Sequence, residues 1–230
     1  MNHQLDNMIW HALQTGNREM AILDEQVGYY RPDIAPFAAM AEPTADNFTR
    51  LHQFLPADKT IALTYPASLQ PDTRYWKIIR EMDCCQMIYE KPVSHFTGKG
   101  SEKIQPLTDE HIPQMLELTA MTRPGPFFQN TILFGNYFGI FENGQLAAMC
   151  GQRMNPVPFL EVSAVCTHPE YRGKGYAKAL MLRVMELILA QSFTPFLHVL
   201  SENATAIGLY ESIGFRTRTR LNINMVKKIG

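Results

Sequence analysis

The sequence predicts an α/β (α+β) chain with a mixed central sheet. Three observations in its second half carry this. Asn143-Gly144 is a strong two-residue hairpin turn between two apolar runs. Val165 to Ala177 reads as a strand end, a short turn and a glycine-bearing loop that opens straight into a helix. Gly214 with Phe215 closes a later helix as a left-handed cap with its hydrophobic contact. The element order after residue 102 is β-α-β-β-β-α-β-α-β.

Composition bounds the class. The chain has 230 residues, 46% hydrophobic and 19% charged, with a net charge of −1. That is an ordinary globular profile, long enough for one large domain or two small ones. Near-neutral charge argues against a general nucleic-acid binder. No stretch approaches the ~18–20 apolar residues of a membrane span. The N-terminus shows no signal-peptide pattern, and Cys84, Cys85, Cys150 and Cys166 form no metal-type pair. The expectation is therefore a cytoplasmic protein with reduced thiols, no metal, no nucleic acid and no membrane partner.

Before residue 100 the pattern is less legible. Met8 to Leu13 predicts a short helix, and Met20 to Tyr30 holds a strand ended by Arg31-Pro32-Asp33. Phe37 to Met40 is a short apolar stretch. Thr44 to Asn47 offers cap residues for a helix through Leu55, stopped by Pro56. Thr60 to Tyr65 is a strand; Tyr75 to Arg80 and Cys84 to Tyr89 are apolar with ambiguous period. A polar, flexible run from Ser94 to Glu102 reads as a linker, dividing the chain into 1–98 and 99–230.

After the linker, Ile104 to Leu107 is a strand, and Thr108-Asp109-Glu110 starts a helix carrying Pro113, Met115 and Leu118. Thr122 to Pro126 breaks it. Tyr137 to Glu142 and Gln145 to Met154 form the hairpin, and Phe159 to Thr167 is the next strand. Tyr176 to Ala190 is an amphipathic helix with Leu180, Val184 and Leu187 on one face. Phe196 to Leu200 is a short buried strand, Asn203 to Ile213 a helix, and Thr217 to Val226 an alternating last strand.

The loop Arg172-Gly173-Lys174-Gly175-Tyr176-Ala177 has the chemistry of a pyrophosphate cradle. Its glycines let a ligand approach the backbone, and the helix behind offers unpaired N–H groups and a positive dipole end. A tight strand-to-helix turn with no ligand is the plainer alternative. A dinucleotide loop fits worse, because its third glycine would fall on Lys178.

Two motifs in order carry a resemblance. Arg172, Gly175 and Ala177 match R/Q-x-x-G-x-G/A, and Asn203, Ala206 and Tyr210 match N-x-x-A-x-x-x-Y, followed by Gly214-Phe215. Over roughly residues 102 to 228 the chain resembles the GNAT N-acetyltransferase superfamily, and within it the glycine N-acyltransferase-like branch. The resemblance implies the GNAT fold, with the sheet splayed between the strands Glu161–Thr167 and Phe196–Leu200. It also implies a degenerate GNAT-like half over residues 1–98, packed beside the catalytic domain.

It further implies acetyl-CoA as cofactor and transfer to an amine of a small molecule or amino acid. A non-catalytic acyl-CoA-binding module is the alternative, and a homodimer is left open. Backbone groups of Val165, Cys166 and Thr167 would hold the pantetheine arm by strand addition. Gly173, Lys174, Gly175, Tyr176 and Ala177 would hold the pyrophosphate, with Arg172 adding charge. Tyr210 would be the general acid for the leaving thiolate; a core aromatic is its other reading. Asn203 would cap its helix and, with Ala206, line the arm.

Glu161 is the general-base candidate, as a strand glutamate is in a lysine-acetylating branch of the superfamily. Alternation places Glu161, Ser163, Val165 and Thr167 on one face, with Cys166 turned away into packing. Partial burial would raise the Glu161 pKa towards neutrality. Phe127 and Phe128, in the stiff loop after Pro124-Gly125-Pro126, would wall the acceptor site or anchor the loop. His198 reads as a satisfied core or edge histidine.

Overall fold

The computed structural model describes residues 3–66, 69–91 and 103–230. The linker run Ser94 to Glu102 lies outside the described residues. Strands from both sides of it build one eight-stranded sheet, in the order β4-β11-β5-β10-β9-β8-β7-β6. Here β4 is Thr60–Tyr65, β5 Trp76–Ile88, β6 Ile104–Pro106, β7 Tyr137–Glu142, β8 Gln145–Gln152, β9 Phe159–Thr167, β10 Thr194–Leu200 and β11 Arg216–Lys228. The expected division at residue 98 is not visible as a break in this sheet, because β5 lies between β10 and β11. β1 (Ala21–Leu23), β2 (Val27–Tyr30) and β3 (Ala38–Met40) form a separate small sheet.

The two sheet faces are covered differently. On one lie α4 (Tyr176–Ala190) and α5 (Ala204–Ile213), packed over Met87, Ile140, Cys150, Val162 and Leu197. The other face is shared. α3 (Ile112–Thr122) covers its β7–β9 end through Met115 and Leu118. The N-terminal segment, with α1 (Met8–Gln14), covers Cys84, Ile88, Phe196 and Leu221. α2 (Ala45–Phe54) closes the small sheet over Val27, Leu63 and Trp76. Burial of these apolar faces, at roughly 25 cal/mol per Å², is what joins the N-terminal segment to the sheet.

Most local signals act as expected. Thr44 caps α2 by accepting from Asn47 N at 3.2 Å. Asn143 and Gly144 both take positive φ, at 51° and 80°, as the hairpin turn requires. Gly214, at φ 116°, ends α5 in the left-handed region. Three elements differ. Met20 to Tyr30 is two short strands, folded back through a turn in which Asp24 N donates to Val27 O. Tyr75 to Tyr89 is essentially one strand, β5: after buried Trp76, residues 77–81 are exposed, and its last residues, 84–88, are buried between β10 and β11. The start after Thr108 is a single 3-10 turn, with α3 beginning only at Ile112.

Candidate active site

The cleft begins where β9 and β10 part. They pair in parallel only at Thr194↔Phe159, Pro195↔Leu160 and Phe196↔Glu161. Beyond that point β10 stays with β5, through Leu200↔Cys84, while β9 stays with β8. The β10-facing edge of β9 from Val162 to Thr167 is therefore left without a strand partner. Thr167 Oγ, buried at the end of this edge, has no hydrogen-bond partner among the described residues. An orphaned polar atom of this kind costs about 1–3 kcal/mol unless something arrives to satisfy it.

At the far end of that edge the chain turns through exposed Arg172-Gly173-Lys174-Gly175 into α4. Gly173 and Gly175 have φ of 77° and 82°, and a methyl added to either would meet nothing within 4 Å. The glycines thus serve backbone conformation, and the space above them is open. Gly175 is the N-cap of α4, and no side chain caps that terminus. The N–H groups and dipole end there suit an anion. Lys174 Nζ lies 4.9 Å from the Tyr171 ring centre. Tyr176 turns its hydroxyl to Glu142, which also takes Lys103 at 2.6 Å, so Tyr176 offers the cradle only its backbone. Asn203 caps α5 by accepting from Ala206 N at 3.1 Å.

Tyr210 lies on α5, buried against the α4-side core, its ring 6.4 Å from that of Phe215. Burial, with smaller contributions from Cys150 and Cys166, raises its pKa well above the ordinary phenol value. Its proton is therefore held at neutral pH.

Glu161 departs from expectation in two ways. First, β9 carries a bulge. Met149 pairs Cys166 and Gly151 pairs Ser163, so Ala164 and Val165 together oppose Cys150. Ala164 sits at φ 52°. The bulge resets the alternation. Glu161, Ser163 and Cys166 share the α3 face, and Val165 and Thr167 share the α4 face. Cys166 is buried as expected, its thiol pushed up to about 12 by burial, yet on the Glu161 side of the strand.

Second, Glu161 is fully buried and doubly occupied. Arg153 grips it through Nε to Oε2 and Nη2 to Oε1, both at 2.7 Å. His198 Nδ1 lies 2.7 Å from Oε1, and Met154 N donates to Oε2 at 3.3 Å. Burial alone would raise the Glu161 pKa, but the Arg153 charge and the hydrogen bonds outweigh it and hold the carboxyl well below the usual range. The expected rise towards neutrality is corrected by this ion pair: Glu161 is a permanent carboxylate with both oxygens engaged.

The pair belongs to a polar row across four neighbouring strands, β9, β10, β5 and β11. Gln86 Nε2 donates to Leu5 O at 3.0 Å and lies 3.0 Å from His198 Nε2. With that amide hydrogen donated to Nε2, His198 carries its proton on Nδ1, towards Glu161. Gln86 Oε1 accepts from Arg218 Nε at 2.5 Å, and Arg218 Nη2 donates to Asp6 at 2.6 Å. His198 is the satisfied core histidine the sequence suggested.

Arg153 opens into a small cleft beside the β9 bulge, lined also by Pro124, Gly125, Phe127, Tyr137 and Ser163. Phe127 packs edge-on against Tyr137 at 5.7 Å. Phe128 is not among the lining residues; its N–H donates to Thr131 Oγ at 2.7 Å, which ties the loop down. The N-terminal segment supports two of the residues that line the cleft. Phe37 lies under the Arg153 guanidinium at 4.9 Å, and Thr131 Oγ donates to Ile34 O at 2.7 Å. Sequence reasoning missed Arg153 and Tyr137. The available signal was a lone cation at the end of the apolar strand Gln145 to Gln152.

The whole chain overlays a crystal structure from Novosphingobium aromaticivorans assigned to the GNAT family, with a TM-score of 0.91 and 34% identity over 100% of both chains. The chain belongs to the GNAT acetyltransferase family. The family model described as acetyltransferase (GNAT) family matches residues 105–215, which hold the splayed edge, the glycine loop and α5. A GCN5-related N-acetyltransferase from Kribbella flavida shares the fold at 11% identity and a TM-score of 0.62, over 97% of this chain and 96% of that one. N-acetylaspartate synthetases from Rattus norvegicus and Homo sapiens are 36% and 35% identical over 104 residues, 44% of this chain. The match spans 31% of the length of each synthetase. No helix among the described residues is long and apolar enough to cross a membrane.

Proposed function

We propose that this GNAT protein transfers the acetyl group of acetyl-CoA to the primary amine of a small molecule or amino acid by direct attack in a ternary complex. The observation that carries the reading is the unpaired β9 edge, which runs from beside the Arg153 cleft to a glycine-framed, uncapped helix terminus. The family implies acetyl-CoA, and the orphaned Thr167 hydroxyl and the open space over Gly173 and Gly175 suit it. When bound, it supplies an activated acetyl thioester.

Backbone groups of Val165, Cys166 and Thr167 hold the pantetheine arm as an added strand and polarise the carbonyl that is attacked. N–H groups from Gly173 to Ala177 hold the pyrophosphate, with charge from Arg172 and Lys174. Asn203 and Ala206 flank the arm at the head of α5. The amine nitrogen forms its bond to the carbonyl carbon as the carbon–sulfur bond breaks. Tyr210 gives its proton to the departing thiolate and regains one from solvent. Glu161, engaged on both oxygens, is not the base on this reading; the amine proton leaves to water in the cleft. Residues 1–98 serve the same site, since Phe37 supports Arg153 and Ile34 anchors Thr131. The amino-acid acceptor in the name N-acetylaspartate synthetase supports this acceptor class.

Thiol release from acetyl-CoA is the test, run with a panel of amines beside calorimetry on CoA. Amine-dependent release is expected. Binding with no turnover on any amine would favour the acyl-CoA-binding module, and no binding at all would end the proposal.

A further inference from the structure

The acceptor cleft holds two polar groups that the fold orients and leaves unused. A guanidinium has two docking faces. Glu161 occupies the Nε/Nη2 side of Arg153. The end face, carrying Nη1, is turned to the loop: a methyl at Gly125 would lie 3.8 Å from Nη1. No protein group hydrogen-bonds Nη1 among the described residues, while the rest of the side chain is fixed by Glu161 on one side and by the Phe37 ring below.

Tyr137 is the second group. It lines the same cleft, is 2% exposed, and its hydroxyl is buried with no hydrogen-bond partner among the described residues. Its position is specified by its cross-strand neighbour. Tyr137 pairs with Gly151, and any side chain at Gly151 would collide with the Tyr137 ring. The missing Cβ lets the ring lie across β8. A second lining hydroxyl, on Thr131, is already committed to Ile34 O and Phe128 N, and a third, on Ser163, also lines the cleft. Arg153 and Tyr137 are therefore two donors that the fold fixes in place, one of them charged, beside the buried Glu161 carboxylate.

Taking the proposed acetyl transfer as given, we infer that the acceptor is an amine bearing a carboxylate, which docks on the Nη1 end of Arg153 and the Tyr137 hydroxyl. Planar, two-oxygen recognition is the use for which guanidinium geometry is suited. Glu161 and His198 then act as positioning residues, since they hold Arg153 at one angle. The carboxylate sits beside the β9 bulge, so an amine one or two carbons away lies along the strand edge. Amino acids satisfy this spacing; simple polyamines and aminoglycosides lack the anion.

The test uses matched acceptors on the full-length protein: glycine against glycinamide, L-alanine against L-alaninamide, and L-aspartate against L-asparagine and L-isoasparagine. Wild type should favour the acid of at least one pair by roughly tenfold to a hundredfold in kcat/KM, the scale of a charge-assisted hydrogen bond. Equal rates for acid and amide in every pair, with turnover present, would overturn the inference and leave acetyl transfer standing. No acetyl-CoA binding and no turnover would remove the underlying reading instead. Arg153→Met paired with Glu161→Gln removes both buried charges together and should bring the acid-to-amide ratio towards one; an unchanged ratio overturns the assignment. That ratio does not depend on the folded fraction. Tyr137→Phe should raise KM for the preferred acid severalfold without lowering the melting temperature, because the hydroxyl it deletes has no partner in the free protein. A lowered melting temperature with unchanged KM would make Tyr137 structural and remove it from the site.

Discussion

At the α4 end of the cleft the chain offers backbone; at the Arg153 end it offers side chains. The α4 end takes its donors from one continuous run, Gly173 to Ala177, with two glycines at positive φ holding the loop open. The Arg153 end draws Tyr137 from β7, Arg153 from the residue after β8, Glu161 from β9, His198 from β10 and Phe37 from the N-terminal segment. A backbone site tolerates many side chains but few backbone changes. A side-chain site depends on every partner that fixes its angles. The family's constant ligand would thus be held by the part that varies least with side chain, and the acceptor by the part that a single substitution can re-aim.

The sharpest break of this comparison is at the chemical step, between the two ends. Tyr210→Phe should lower kcat by about a hundredfold to ten-thousandfold, the usual scale for a positioned general acid, with acetyl-CoA affinity unchanged by calorimetry. Equal activity would take Tyr210 out of the mechanism. Next comes the backbone end. Gly175→Val forces a β-branched residue into φ 82° and fills the space over the helix terminus. Loss of acetyl-CoA affinity by at least about a hundredfold is expected, given the several backbone donors at such a terminus. Retained affinity would mean the cradle lies elsewhere. Arg183, far along α4 on an exposed ion pair with Glu186, should tolerate Ala at under about 0.5 kcal/mol of stability.

A pH dependence sharpens the side-chain end. The folded pKa of Glu161 lies below its ordinary 4.5. Its ionised form therefore stabilises the fold fully above that value, and the contribution is lost as pH falls towards the folded pKa. Glu161→Gln lacks this contribution at every pH. The stability gap between wild type and variant, from urea unfolding, should be constant from pH 6 to 8 and should narrow below pH 4.5 by at most about 1.4 kcal/mol per pH unit. A gap that widens on acidification would contradict the ion-pair account.

The α4 end was legible because its information is local. The glycines, the helix start at Tyr176 and the Asn203 and Gly214 caps are short-range signals, and each acts where it stands in the chain. The splay between β9 and β10 followed from resemblance, since no residue pattern announces where two parallel strands part. Alternation along Glu161 to Thr167 failed because one bulge at Ala164 reverses every later side chain, and alanine carries no mark of the positive φ it adopts. The raised pKa expected for Glu161 failed because burial was foreseen and its partner was not.

Taken alone, the sequence determined the order of elements after residue 102, the family motifs and the glycine-framed start of α4, all set by contacts within a few residues along the chain. Tertiary structure decided the rest. It placed β5 between β10 and β11, packed Phe37 of the N-terminal segment under Arg153, and brought Arg153, eight positions before Glu161, into an ion pair with that buried carboxylate. The physical reason is that a buried charge takes its state from whichever groups the fold places around it, and those come from strands that only the sheet makes neighbours.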